Sequence, residues 1–138
     1  MTQVSRIPIP VKLEQQIATL FQRVLTEVHS REHMTLFLED LLTPTEKQML
    51  GKRLAIAFLL EKGYDHRTIH KILKVSTTTV FLVNKVLQEK GNGYRTVIQM
   101  VRRDEKWVAF INSVDYGLEE LFSPKAWHRR NFGAKPKE

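Results

Sequence analysis

Apolar residues recur along this chain at intervals of three and four over nearly its whole length, the period of helices with one buried face. Leu13, Ile17, Leu20, Phe21, Val24 and Val28 predict a first helix from Val11 to Val28. Pro8 and Pro10 predict an irregular arm ahead of it. His29-Ser30 interrupts the pattern, and Met34, Phe37, Leu38, Leu41 and Leu42 resume it over about residues 31–42. The clearest boundary is Leu42-Thr43-Pro44-Thr45-Glu46. Thr43 suits the N-cap, Pro44 the first helical position and Glu46 the third, which makes a capping box. The helix it opens is predicted to run through Leu50, Leu54, Ala57, Phe58 and Leu60 to Lys62, with Gly63 as a left-handed C-cap. No stretch alternates as a strand does, and no internal repeat is present. The fold class expected is therefore all-α.

The pattern tightens over residues 64–90, YDHRTIHKILKVSTTTVFLVNKVLQEK. Asp65 can cap a short helix whose apolar stripe is Ile69, Ile72 and Leu73. Lys74-Val75-Ser76 forms a corner. Ser76 or Thr77 then caps a second helix that runs to about Lys90, with Val80, Val83, Val86 and Leu87 facing one way. Two short helices on a tight corner make a helix-turn-helix. Its second helix opens on Ser76-Thr77-Thr78-Thr79, small hydroxyls where such a helix meets base edges and phosphates; capping alone also favours these residue types. Gly91-Asn92-Gly93 is expected to stop that helix. Residues 94–122 read as helical again, with Asp104 and Gly117 as interruptions. Ser123-Pro124 closes the ordered part. The expected organisation is a helical dimerisation and helix-turn-helix domain over 1–122 and a basic tail over 123–138.

Composition narrows the class. The 138 residues contain no cysteine, which removes disulfides and thiolate chemistry. No apolar run approaches the 18 or so residues of a membrane span, and the first residues lack a signal-peptide core, so a cytoplasmic protein is expected. The net charge of +7 is unevenly spread. Residues 62–90 carry six Lys/Arg against two Asp/Glu, and residues 123–138 five against one, whereas residues 1–61 are balanced. The excess therefore falls on the helix-turn-helix and the tail, which suits a polyanion such as nucleic acid as well as a plain solvated surface.

Other chemistries find little support. His29/His33 and His66/His70 are spaced to share one helix face, but no third metal ligand is identifiable. The serines form no nucleophile elbow, the six glycines no phosphate loop, and Asp40, Asp65, Asp104 and Asp115 no two-metal spacing. No enzyme activity, metal or cofactor is expected. Trp127, Phe132, Arg129 and Arg130 in the tail mix rings and cations, a combination compatible with RNA as well as with simple solubility.

The stretch LLTPTEKQMLGKRLAIAFLLEKGYDHRTIHKILKVSTTTV, within residues 36–90, resembles the Trp repressor superfamily, and looks most like its YerC/YecD-type branch. The resemblance implies an intertwined all-helical homodimer whose two helix-turn-helix heads enter successive major grooves. Such heads sit roughly 34 Å apart, so a near-palindromic duplex is implied. The family's DNA-contacting positions fall on His66, Arg67, His70, Thr77, Thr78 and Phe81. Arg67 carries the planar fork that suits guanine. Thr79 and Ser76 offer further hydroxyls, and Lys71, Lys74 and Lys85 suit phosphates. Thr43 and Arg53 match two members of the family's tryptophan pocket, while its second arginine is Leu82 here and the adjacent glycine is Val83. Tryptophan is therefore not expected as corepressor, and the sequence names no other effector. Phe81 and Leu82 are apolar for the outer side of such a helix. Three readings stay open: packing on a neighbouring helix, contact with thymine methyls, or a head that no longer binds DNA. The function expected is sequence-specific double-stranded DNA binding by a transcriptional regulator at the nucleoid. The alternatives are a protein–protein adaptor, or RNA binding through the tail.

Overall fold

A computed structural model describes residues 4–122, so the basic tail expected over 123–138 lies outside the described residues. The described residues form seven α-helices and no strand. These are α1 (Val11–Glu27), α2 (Arg31–Leu41), α3 (Pro44–Lys62), α4 (His66–Leu73), α5 (Thr77–Glu89), α6 (Asn92–Val101) and α7 (Glu105–Phe122). They fall into two compact units, Met1–Lys47 and Gln48–Glu138, divided within the first turn of α3.

In the first unit, helix starts follow local chemistry. Ser30 caps α2, its hydroxyl accepting from the His33 N–H at 3.1 Å. Thr43 and Glu46 close the capping box. The Thr43 N–H donates to the Glu46 carboxylate at 2.8 Å, and the Glu46 N–H donates to the Thr43 hydroxyl at 3.2 Å. The Thr43 N–H, and then its hydroxyl, hold the Glu46 carboxyl below the usual carboxylate range. The apolar stripe of α1 stays open. No residue of α1 or α2 is buried, and Leu20 is 63% exposed. Two helices give a stripe this wide no third layer to pack against.

The second unit holds the core. Ile56, Ala57, Phe58 and Leu59 of α3, Ile69 of α4, Val80, Val83 and Leu87 of α5, and Ile111 and Val114 of α7 form one buried cluster. Phe58 meets Trp107 edge-on at a centroid distance of 4.7 Å, and Trp107 tilts onto Phe110 at 5.7 Å. Within α3 the apolar residues do not share one fate: Leu50 and Leu54 are nearly half exposed, while Ile56 and Leu59 are completely buried. The reason is that α3 is apolar around much of its last two turns, so spacing alone cannot choose a face. Val86 of α5, expected on the face of Val80, Val83 and Leu87, is exposed for the same reason.

Two glycines carry corners. Gly63, at φ +100°, ends α3 in a Schellman motif, with the Tyr64 N–H reaching Leu59 C=O and the Gly63 N–H reaching Leu60 C=O. Gly91, at φ +72°, leaves α5, and a Cβ there would lie 2.6 Å from the Leu87 carbonyl oxygen. The chain enters α6 immediately afterwards, at Asn92, so the break is Lys90–Gly91 rather than the expected Gly91-Asn92-Gly93. The helical stretch beyond is divided at Arg102–Asp104, and Gly117 lies within α7 without interrupting it.

Arg95 of α6 fastens the end of α5. Its Nη2–H donates to Leu87 C=O at 2.7 Å and its Nη1–H to Lys90 C=O at 3.2 Å, while Nε–H pairs with Glu61 of α3 at 3.1 Å. The guanidinium thus satisfies orphan carbonyls at a helix C-terminus, where positive charge is also favoured. Arg95→Ala is expected to cost about 1–2 kcal/mol in urea denaturation, discounted for partial exposure. Arg95→Lys should recover only part of this, because an ammonium keeps the ion pair but cannot bridge both carbonyls.

Acid stability gives a second expectation. Like Glu46, Asp65 has its carboxyl held low, chiefly by the Thr68 N–H, which donates to it at 2.8 Å. Folded pKa values below the unfolded ones add stability above the ordinary carboxylate range, lost as pH falls through the lowered values. Asp65→Asn keeps a cap acceptor but removes the titration. Its stability should therefore decline less between about pH 5 and pH 2 than that of the parent chain, as followed by urea midpoints.

Candidate nucleic-acid interface

Helices α4 and α5 meet at Lys74-Val75-Ser76 and pack on each other, and α4 also packs on α7. Asp65 caps α4 as predicted from sequence. Ser76 caps α5: its hydroxyl accepts the Thr79 N–H at 3.1 Å and shares a 2.8 Å hydrogen bond with the Thr79 hydroxyl. Lys74 takes the left-handed conformation at φ 54° and ψ 46°, the only non-glycine with positive φ among the described residues. The corner where the motif prefers glycine thus keeps its backbone shape with a lysine in place. His70 spans the same corner, its ring Nδ1–H donating to the Val75 carbonyl. That bond leaves Nε2 as the nitrogen free to turn outward.

The front of the head is held from behind. Tyr64, just before α4, donates its phenolic hydrogen to the Asp115 carboxylate of α7. Partial burial, followed by that bond and the negative charge of Asp115, pushes the Tyr64 phenol up to about 12. It therefore remains a donor at any ordinary pH.

The side chains singled out from sequence separate into three groups. Arg67, Lys74, Thr77, Thr78, Phe81 and Lys85 lie exposed. Lys85 makes a loose pair with Glu89 at 3.9 Å, both more than half exposed, so its charge stays largely available. His66 and Lys71 are half-buried. Ser76, Thr79 and His70 are engaged in shaping the corner and the start of α5. Phe81 and Leu82 are 57% and 55% exposed, so neither packs into the core of the single chain.

Between α3 and α5 lies a cavity of about 530 Å³. Met49, Lys52 and Arg53 form one wall, and Leu82, Val83 and Val86 face them. Arg53, expected in a remnant effector pocket, stands here; Thr43 is spent in the capping box. The wall opposite Arg53 is aliphatic and brings no second guanidinium. Sequence reading did not single out Lys52, Arg95 or the Tyr64–Asp115 bond. Nothing in spacing marks them, since the Arg95–Glu61 and Tyr64–Asp115 contacts join residues 34 and 51 positions apart and Lys52 is placed only by a cavity wall.

Lys74→Gly should raise stability by about 0.5–1 kcal/mol, because glycine adopts the left-handed corner without the Cβ clash, less its greater entropy in the unfolded chain. A thermal melt of the purified variant should shift upward by a few degrees.

Among the described residues no helix is long and apolar enough to cross a membrane, and no group of three His, Asp or Glu is placed to hold a metal ion. Comparison with curated proteins and with solved structures finds no match. A family model described as Trp repressor protein matches residues 15–102, which takes in most of α1, all of α2 to α6 and the whole helix-turn-helix. The match covers well over half of the sequence and agrees with the all-helical architecture of the described residues: this protein belongs to the Trp repressor family.

Proposed function

We propose that the chain is a sequence-specific double-stranded DNA-binding transcriptional regulator that works as a homodimer, binding rather than catalysing. The observation that carries this reading is the α4–corner–α5 head. Thr77 and Thr78 stand exposed at the N-terminus of α5, and Arg67, Lys74 and Lys85 stand exposed around them. An N-terminal helix end with small hydroxyls and surrounding cations fits a major groove and its phosphates. Membership of the Trp repressor family supports the same conclusion.

The dimer is inferred from the open stripe of α1, where Ile17, Leu20 and Phe21 lie about half exposed or more. A second copy of the same stripe would cover it, and a twofold pair of heads implies a near-palindromic site. We further infer that tryptophan is not the corepressor. Leu82 and Val83 line the cavity facing Arg53, where the family carries an arginine and a glycine. A chain acting on DNA in this way would work in the cytoplasm, at the nucleoid.

One observation favours a second reading. The exposed Phe81 and Leu82 would also suit a protein partner, which would make the chain a helical adaptor.

Selection of duplexes from a random pool tests the proposal. A regulator should enrich a near-palindromic sequence and show affinity that falls steeply with salt. Arg67→Ala should then cost roughly 1–3 kcal/mol at one base position, whereas Lys71→Ala should weaken all duplexes alike and lower the salt slope by about 1. An adaptor would enrich nothing, and Leu82→Arg would abolish its partner binding.

A further inference from the structure

Three side chains decide which side of α5 faces out. Val80, Val83 and Leu87 are buried, and the opposite side carries Thr78, Phe81 and Lys85 at helical spacing, with Leu82 beside them. This outer side has an unusual chemistry for a helix in a basic head. Its first two turns, residues 77–83, contain no arginine, lysine, asparagine or glutamine, and hence no side chain with the paired donors or acceptors that read a purine edge. The Thr79 hydroxyl is already bonded to Ser76. What remains is two threonine methyls and hydroxyls and the apolar surface of Phe81 and Leu82.

Apolar surface pressed against base edges needs an apolar partner, because a donor or acceptor covered by a phenyl ring would lose its water without replacement. The major groove offers one such partner, the 5-methyl group of thymine. We propose that α5 selects its duplex by thymine methyl groups, with Phe81 as the specificity-determining residue and Thr78 and Leu82 as its flanks. The charge of the surrounding head, +4 over residues 62–90, favours a polyanion on this surface over an apolar peptide. Specificity at these positions then comes from methyl burial, while hydrogen-bonded readout is left to Arg67 on α4.

This inference rests on the duplex-binding reading, and the test separates the two. The full chain is titrated with its selected duplex and with the same duplex carrying deoxyuridine in place of one thymine at a time. That exchange removes the methyl and leaves every base-pair hydrogen bond in place. Affinity should fall about fourfold for each methyl that Phe81 or its neighbours cover, the worth of burying one methyl-sized group. Phe81→Ala should lose the distinction, binding the thymine and deoxyuridine duplexes equally, whereas Lys71→Ala should weaken both and keep it. Phe81 is exposed, so the variant should fold as the parent does, which its circular dichroism and melt would verify. Equal binding of thymine and deoxyuridine duplexes by the parent chain would overturn the inference while leaving the regulator standing. Unchanged duplex affinity in Phe81→Ala would also overturn it and assign the ring to a protein partner. Enrichment of no sequence at all would remove the regulator reading and the methyl reading together.

Discussion

The burial of Val80, Val83 and Leu87 in one cluster with Ile69, Ile56 and Leu59 is the constraint on which the head depends. These aliphatic side chains have no polar atoms and lose water only if α5 lies on α3 and α4 with one particular face down. Once that face is chosen, every other side chain of α5 has its direction set by the helical period. Thr78, Phe81 and Lys85 are carried outward, and Leu82 and Val86 are turned towards the cavity wall opposite Arg53. The chemistry displayed by the head is thus a by-product of what its core hides.

Orientation also needs ends that do not fray. At its start, α5 is held by Ser76 and by a corner that Lys74 adopts against its steric preference and His70 bridges. At its finish, Gly91 lets the chain turn away, and the Arg95 guanidinium takes the carbonyls of Leu87 and Lys90 while reaching Glu61. Tyr64 and Asp115 add a tie from the start of α4 to α7. Of these, the Arg95–Glu61 and Tyr64–Asp115 contacts link parts of the chain far apart in sequence, while the others are local. Together they make the helix-turn-helix a rigid presentation of side chains rather than two short helices, which on their own would be marginal in water.

The outer side of α5 departs from the polar surface common in heads of this kind, and the departure has a direction. On the duplex-binding reading proposed above, a ring and a branched aliphatic at these positions would reward methyl groups rather than hydrogen-bonding base edges. Leu82 also lines the cavity opposite Arg53, where the family resemblance implies a second arginine, so this one side chain bears on the pocket as well as on the outer side of the helix.

Local chemistry made much of this legible from residues alone. The Thr43–Glu46 capping box, the Asp65 and Ser76 caps, Gly63 as a C-cap and the Lys74 corner each rest on contacts within a few residues, so composition and spacing suffice to find them. The all-helical class follows from the same short-range periodicity. Faces were harder: α3 and α5 are apolar on more than one side, and only packing shows that Ile56 and Leu59 are inside while Leu50, Leu54 and Val86 are not. The Arg95 clasp, the Tyr64–Asp115 tie and the cavity beside Arg53 left no trace in spacing. Caps and helical periods are written in neighbouring residues, so most helix starts could be read from the chain alone, while the α5–α6 break and the course of α7 past Gly117 could not. Which side of each helix is hidden, and which distant groups meet, follow from how the helices pack, which no local pattern of residues encodes.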